Sequence, residues 1–422
     1  MNDRYDCVVV GGGPAGCTTA TLVAEQGFST LLVERDAMPR FHVGESLMPE
    51  TYWTLERLGL VETVRDGRFT PKNGVQFVNH QGKESMPFFF TEADPHESSM
   101  TMHVQRSEFD LAMFRNAAAK GATCLDRTRV LDIELIDSGD HQVQIRDREG
   151  NQRMVSARVV VDATGQQAML ANRMQVRVVD PDLRKTAIWG YFHNAVRNGN
   201  GQPEVTCVLH TRSKRCWFWY IPLSDGTVSV GVVGDSDYLL KGRGTVAETF
   251  QQERERCLGL QSRLAQAEQV GELHVAKEFS YKTRQMSGQG WVLIGDAWGF
   301  IDPIYSSGVF LALKSGELAA DAIVDGLRRD DLSAETLGAW RQPFEAGVVW
   351  IRKLVNAFYT EEFSFGDFMK AFPQHRNNLT DLLVGKVFDG NPGKLFEDMD
   401  PWIESLKNDS ANSGPMSTET PA

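Results

Sequence analysis

The chain has no Cys-x-x-Cys pair. Its six cysteines, Cys7, Cys17, Cys124, Cys207, Cys216 and Cys257, are scattered, which excludes a zinc-ribbon spacing and offers no disulfide framework, so no metal is expected. It also has no uninterrupted apolar stretch long enough to cross a bilayer, so no membrane span is expected. A positive surplus is missing too. With 44 basic against 56 acidic side chains, the net charge of −12 repels phosphate and argues against nucleic acid or an anionic membrane as a partner. The opening "MNDRYDCVVVGGG" holds two aspartates and runs straight into a glycine motif, so no signal peptide is expected. No internal repeat is visible. These absences leave a cytoplasmic protein whose partners are small molecules.

What is present begins at the first strand. Tyr5 to Val10 is a short β-branched run, "GPAGCTTATLVAEQG" reads as a small-residue helix, and "STLLVER" supplies a second strand, which together make a βαβ unit. Gly11, Gly13 and Gly16 stand in GxGxxG spacing at its turn, where bare backbone lets a pyrophosphate approach the positive end of the helix. Pro14 and Ala15 complete that turn. Glu34, at the end of the second strand with Arg35 beside it, suits the hydroxyl pair of a ribose.

The same scaffold holds either NAD or FAD, and a second element decides. "GWVLIGDAWGFIDPIYSSG" is a buried strand ending at Gly295 and Asp296, then a turn, then a helix beginning near Ser307. An aspartate there binds a ribityl hydroxyl while the helix start faces the flavin; the plainer reading is a helix cap. With "GGGPAG" in the same chain, FAD is favoured.

"GGGPAG", "RSEFD" around Arg106 and "GDA" together resemble the hydroxylase-type flavoprotein fold shared by aromatic monooxygenases, flavin-dependent halogenases and geranylgeranyl reductases. The resemblance covers about residues 5 to 330 and implies that Arg106 approaches the FAD. Within that group "WFWYIP", Trp217 to Pro222, is similar to the WxWxIP signature of the halogenases, with Cys216 where glycine usually stands. Trp217 and Trp219 fall on one face of a strand, Phe218 and Tyr220 on the other. For an isolated stretch, plain core packing would be the better explanation.

Three further stretches resemble the same family. "FIDPIYSSG" is similar to its FxxPxxSxG pattern and implies that backbone N–H groups of Ser307 and Gly308 hold a halide beside the flavin. "VGESLMP" resembles the flavin strap, which places Gly44, Glu45 and Ser46 along the isoalloxazine. "KNG" matches a KxG context, which implies that Lys72 delivers the halogen as an electrophile. Without the resemblance Lys72 would read as a solvated lysine beside an Asn-Gly turn.

Two departures matter. Tyr305 stands where tryptophan halogenases have glutamate, so the chain resembles instead the branch that acts on phenols and carrier-bound substrates; Glu45 and the substrate's own phenolate are candidates for the missing base. The strand end "VVDATGQQAML" lacks the NADPH-binding element of single-component hydroxylases, so a separate flavin reductase is expected as partner and source of FADH2.

The expected fold is α/β: a Rossmann-like FAD domain from residues 1–71, 101–170 and 280–332, with a mostly antiparallel substrate sheet from 72–100 and 171–279. A helical segment then covers 333–407 and a disordered tail 408–422. Phe358, Phe363, Phe365, Phe368 and Phe372 in the helical segment line an aromatic pocket or seal the helices. The expected function is halogenation of an electron-rich aromatic, free or carrier-bound, with FAD and chloride or bromide. Trp217, Trp219, Pro222 and Tyr305 would then wall the substrate off from the flavin. The alternatives are a monooxygenase or a geranylgeranyl-reductase-like oxidoreductase on this scaffold, and a flavin-binding module without catalysis.

Overall fold

The strand, glycine turn and helix at the start of the chain are in place in the computed structural model, which describes residues 3–92, 94–197, 204–277 and 279–412. Strand Arg4–Val10 lies between Gln152–Asp162 and Thr30–Val33, parallel to both, with Val9 opposite Val161 on one side and Leu32 on the other. All of these are buried, as continuous β-branched runs in a parallel sheet must be. Trp291–Leu293 extends the sheet beyond Gln152–Asp162 and Thr123–Leu125 extends it beyond Thr30–Val33. Helix Pro14–Glu25 lies against the long helix Ser307–Arg329, and a Cβ on Gly316 would meet the Ala15 carbonyl oxygen at 2.6 Å. That close approach brings the starts of two helices to one end of the sheet.

A second, seven-stranded sheet runs in the order Glu268–Lys277, Lys185–His193, Val228–Asp235, Cys216–Pro222, Thr206–His210, Gly74–Val78, Phe88–Phe89. Its pairings are antiparallel except that Thr206–His210 runs parallel to Gly74–Val78. Register then sorts the side chains. Cys216, Phe218 and Tyr220 share one face with Ile188, Val230 and Val232, and that face packs on Phe250, Leu260 and Leu264 of the helices that follow. The opposite face carries Trp217 and Trp219, next to Gly231 and Trp189 in the register. A small two-stranded sheet, Thr70–Lys72 with Thr101–His103, stands apart from both larger ones.

Some of this differs from expectation. Arg129–Glu134 and His141–Arg146 form a hairpin added to Gln152–Asp162, which the sequence pattern did not single out. The last helix, Lys394–Asn412, passes the expected end of the helical segment at Lys407, so the start of the expected disordered tail is helical. Its remainder, 413–422, lies outside the described residues. The chain divides into two compact units, residues 1–342 and the remainder from Pro343. Within the second, Phe368 packs on Phe363, Phe372, His375 and Trp402, so these rings seal helices to one another.

Gly231 shows how tightly the exposed-to-site face of the second sheet is filled. A Cβ there would sit 2.2 Å from the Trp219 ring. Gly231→Ala is expected to push the indole aside and destabilise the fold by about 1–3 kcal/mol, the usual cost of overpacking. An unchanged thermal midpoint would show that the ring does not rest on this residue.

Candidate active site

The end of the parallel sheet opens into a cleft of about 270 Å³. Gly11, Gly13, Pro14, Ala15, Glu34, Arg35, Gly44, Arg106, Asp296 and Gly308 all line it; Gly16, Glu45 and Ser46 do not. Gly16 acts from behind: a Cβ on it would meet the Gly11 carbonyl oxygen at 2.0 Å, so it lets the helix close on the turn. Gly11 has φ +112° and no room for a side chain, with Ala163 O 2.2 Å from an added Cβ. Gly13 is the opposite case. Its backbone is extended at φ −84°, and an added Cβ would meet only Arg40 Nη2, at 3.5 Å. The helix it precedes has no side-chain cap and no acid in its first turn, so its first amides face the cleft.

Charges around the cleft are paired and buried. Glu34 Oε2 accepts from the Gly12 amide at 2.9 Å and lies 3.3 Å from Arg40 Nε, while Glu34 Oε1 accepts from the Asp36 amide at 2.9 Å. Arg106 binds Asp110 through two nitrogens at 2.9 and 3.1 Å, Arg40 reaches the same carboxylate at 3.0 Å, and Arg106 Nη1 donates to the Val43 carbonyl at 2.6 Å. Asp296 faces the cleft from the short helical turn Gly295–Ala297; burial raises its carboxyl to about 7, opposed by Arg106 and by a hydrogen bond from Gln166. These residues fit a dinucleotide: a side-chain-free turn at a helix start, an oriented carboxylate, a guanidinium on the strap, and a carboxyl poised for a hydroxyl. Arg40, Gln166 and the loop Ala163–Gln167 were not anticipated, since nothing local marks them.

The strap is bound residue by residue. Val43 O takes Arg106. Glu45 Oε1 takes the Tyr191 hydroxyl at 2.5 Å, and burial raises the Glu45 carboxyl, with that hydrogen bond opposing. Through that bond the Glu45 side chain ties the strap to the second sheet. Ser46 Oγ meets Thr206 Oγ1 at 2.9 Å and accepts from Ser306 Oγ at 3.0 Å. Leu47 O accepts from Lys72 Nζ at 2.7 Å.

Lys72 does not line the cleft. It ends the strand Thr70–Lys72, is 2% exposed, and holds its amine 5.5 Å from the centre of the Phe90 ring. No carboxylate pairs with it among the described residues, and burial alone lowers it from 10.5 to about 7. Ser307 opens the long helix, behind Ser306 in the left-handed region at φ 60°, and the first turn has neither a side-chain cap nor an acid. Gly308 there lies against Phe300, with 3.0 Å between an added Cβ and the ring.

Trp217, Trp219, Pro222 and Tyr305 are buried but outside the cleft lining. The tryptophans belong instead to a ladder of rings: Phe41 at the cleft stacks on His274 at 4.7 Å, His274 on Trp189 at 5.3 Å, Trp189 meets Trp219 at 6.2 Å, and Trp219 meets Trp217 at 6.4 Å. Pro222 closes the same strand, and Tyr305 precedes Ser306 in the loop before the long helix.

Residues 4–328 match the family described as FAD binding domain. The 1H-pyrrole-2-carbonyl-[peptidyl-carrier protein] chlorinase of Pseudomonas fluorescens is 28% identical, over 97% of this chain and 95% of that protein. The corresponding brominase of Pseudoalteromonas luteoviolacea is 30% identical, over 91% of this chain and 93% of its own. Among solved structures, the flavin-dependent brominase Bmp2 superposes with a TM-score of 0.85 at 28% identity, covering 95% of this chain and 100% of that one.

The contrast between Gly11 and Gly13 makes a test of the cofactor site. Gly13→Val keeps an allowed backbone and meets little protein, so the variant should fold and melt like the parent, yet lose FAD affinity by at least about a hundredfold, near 3 kcal/mol. Flavin fluorescence titration measures this, and undiminished FAD binding by a folded Gly13→Val protein would place the pyrophosphate elsewhere.

Proposed function

The chain belongs to the flavin-dependent halogenases, built on an FAD binding domain, and from that membership we propose that it halogenates an electron-rich ring through the buried amine of Lys72. The amine is the observation that supports this most directly. A lysine taken out of water with a carbonyl and an aromatic ring for partners, and no carboxylate among the described residues, is costly to charge, and its uncharged form is the nucleophilic one.

Reduced FAD, when bound, would give two electrons to dioxygen, so that one oxygen atom leaves as water while the other takes two electrons from the halide and becomes hypohalous acid. Glu34, Arg106 and Asp296 hold and orient that cofactor, and the free amides of Ser307 and Gly308 hold the halide, which needs donors and no acceptors. At Lys72 the nitrogen lone pair takes the halogen; the bonding pair stays on oxygen, which takes an N–H proton and leaves as water. The ring's π electrons then take the halogen from nitrogen, and the ring proton returns to the amine. Trp217 and Trp219, with Trp189, keep the ring from the flavin.

The substrate we propose is a pyrrolic or phenolic ring, with a pyrrole-2-carbonyl group on a peptidyl carrier protein as the first to test. Two relatives that match nearly end to end are named for that substrate. A separate reductase supplies the reduced flavin. Incubation with FAD, a flavin reductase, bromide and a panel of pyrroles, carrier-bound pyrroles and phenols, read by mass spectrometry, tests the reading; no brominated product from any of them overturns it.

Two expectations concern Lys72. Lys72→Ala should still bind FAD and still oxidise halide, while halogenated product falls by about two to four powers of ten. Lys72→Arg should fail almost as badly, because a guanidinium keeps its charge. Product at the parental level from Lys72→Ala would remove the lysine from the mechanism. The pH profile has a defined sign as well. The amine is neutral above about 7 and gains a proton below it, so the product yield per halide oxidised should fall as pH drops through about 7. A yield that rises toward acid pH would contradict a neutral amine.

A further inference from the structure

Three consecutive hydrogen bonds join the start of the long helix to the strand beside Lys72. Ser306 Oγ donates to Ser46 Oγ at 3.0 Å, Ser46 Oγ and Thr206 Oγ1 are 2.9 Å apart, and Thr206 Oγ1 lies 2.8 Å from His103 Nε2. The four residues come from the halide loop, the strap, the second sheet and the strand paired with Thr70–Lys72. Ser46, Thr206 and His103 are 6%, 5% and 0% exposed, so this is a polar thread through a dry region.

A structural seam alone does not require it. The strap is already tied to the lysine side by backbone pairing, with the Leu47 amide donating to Met102 O at 3.1 Å and the Val104 amide to Glu45 O at 2.7 Å. Apolar side chains at the same places would cost less to bury than an imidazole and its hydroxyls. The thread also has a direction. Because Ser306 donates to Ser46, the hydroxyl protons of Ser46 and Thr206 find acceptors within the thread only if Ser46 donates to Thr206 and Thr206 to a neutral Nε2, the tautomer that carries its proton on Nδ1, a buried atom without a hydrogen-bond partner among the described residues. That arrangement leaves the Ser306 oxygen as an acceptor beside helix amides that are donors. A halide suits the amides, and the O–H of a hypohalous acid suits Ser306.

We propose that Thr206 and His103 are positioning residues for halogen transfer: through Ser46 they fix the lysine strand to the halide loop, so that hypohalous acid meets the Lys72 amine before it meets water. This rests on the reaction proposed above. Each turnover then has two exits, product or free hypohalite, and the thread sets the ratio between them.

The experiment measures that ratio, with a monochlorodimedone scavenger for free hypohalite and mass spectrometry for product. Thr206→Val keeps the shape and removes the hydroxyl. It should bind FAD as the parent does, yet raise the ratio of free hypohalite to product on the order of tenfold to a hundredfold, the scale of a small misplacement. Thr206→Ser should restore it. At His103, glutamine can put its amide where Nε2 was and asparagine cannot, so His103→Gln should leak less than His103→Asn, which keeps the test open if Thr206→Val does not fold. Hydrogen exchange in the cofactor-free protein gives a second readout: the Thr70–Lys72 and Thr101–His103 amides should exchange faster in Thr206→Val and not in Thr206→Ser. A parental ratio in Thr206→Val, or leakage as high in Thr206→Ser, overturns the inference. If Lys72→Ala leaves the ratio parental too, the lysine mechanism fails first; if Lys72→Ala leaks and Thr206→Val does not, only the thread is wrong.

Discussion

Five consecutive residues, Val43 to Leu47, connect almost everything that bears on function, and the structure depends on their being held in place. Val43 takes Arg106, Glu45 takes Tyr191, Ser46 takes Thr206 and Ser306, and Leu47 takes Lys72. Gly44, between them, has φ +107°, and a Cβ there would stand 3.0 Å from Arg106 Nη1, so the guanidinium crosses the strap where only glycine leaves it room. The carbonyls of Val43 and Leu47, on either side of that turn, accept from Arg106 and from Lys72, so one short strap serves the cleft at one end and a buried amine at the other.

The two sides are built on opposite electrostatic terms. At the cleft, Arg106, Arg40, Asp110 and Glu34 pay for their burial with bidentate and shared ion pairs. At Lys72 there is no such pair, so burial acts on the amine without opposition. The sign of the resulting linkage is fixed: a lysine lowered from 10.5 to about 7 leaves the unfolded chain holding the extra proton between those values, so stability rises with pH across that window and is lost toward acid. At 1.36 kcal/mol for each unit, the charged amine is disfavoured by about 5 kcal/mol, a large share of a typical fold's stability. An amine buried at that cost without an ion pair among the described residues supports the role proposed for Lys72.

What was legible in the sequence follows from how local each signal is. Gly11, Gly13, Gly16 and Glu34 were readable because a βαβ turn is made by residues close along the chain, and the period of the Cys216–Pro222 strand told which of its rings share a face. Lys72 could be named only by resemblance, since burial is a property of the surrounding fold. Arg40 and Gln166 escaped because their partners, Asp110 and Asp296, are far off in sequence. Thr206 and His103 look like an ordinary strand threonine and histidine until the register brings them together. The helix beyond Lys407 was missed for a simpler reason: its polar composition suggested nothing to bury, but a helix already nucleated upstream can extend through such residues at little cost.

In the function proposed here, the second sheet is what keeps a flavin and a reactive ring apart in one molecule. With a side-chain period of two, every strand must give half its residues to each face. Here Cys216, Phe218 and Tyr220 go to the hydrophobic core, which anchors the strand and leaves the other face free of any duty to hold the helices. That free face spends its positions on Trp217, Trp219 and Trp189, and on Tyr191 and Thr206, which reach the strap. Gly231 is what allows the large rings to lie flat there, since any side chain opposite Trp219 would lift it. The core-facing half of the strand therefore supplies the rigidity, and the site-facing half uses it to hold wide rings and two hydroxyls at fixed heights. A substitution that moved the register by one residue would exchange the two sets and lose core and site together.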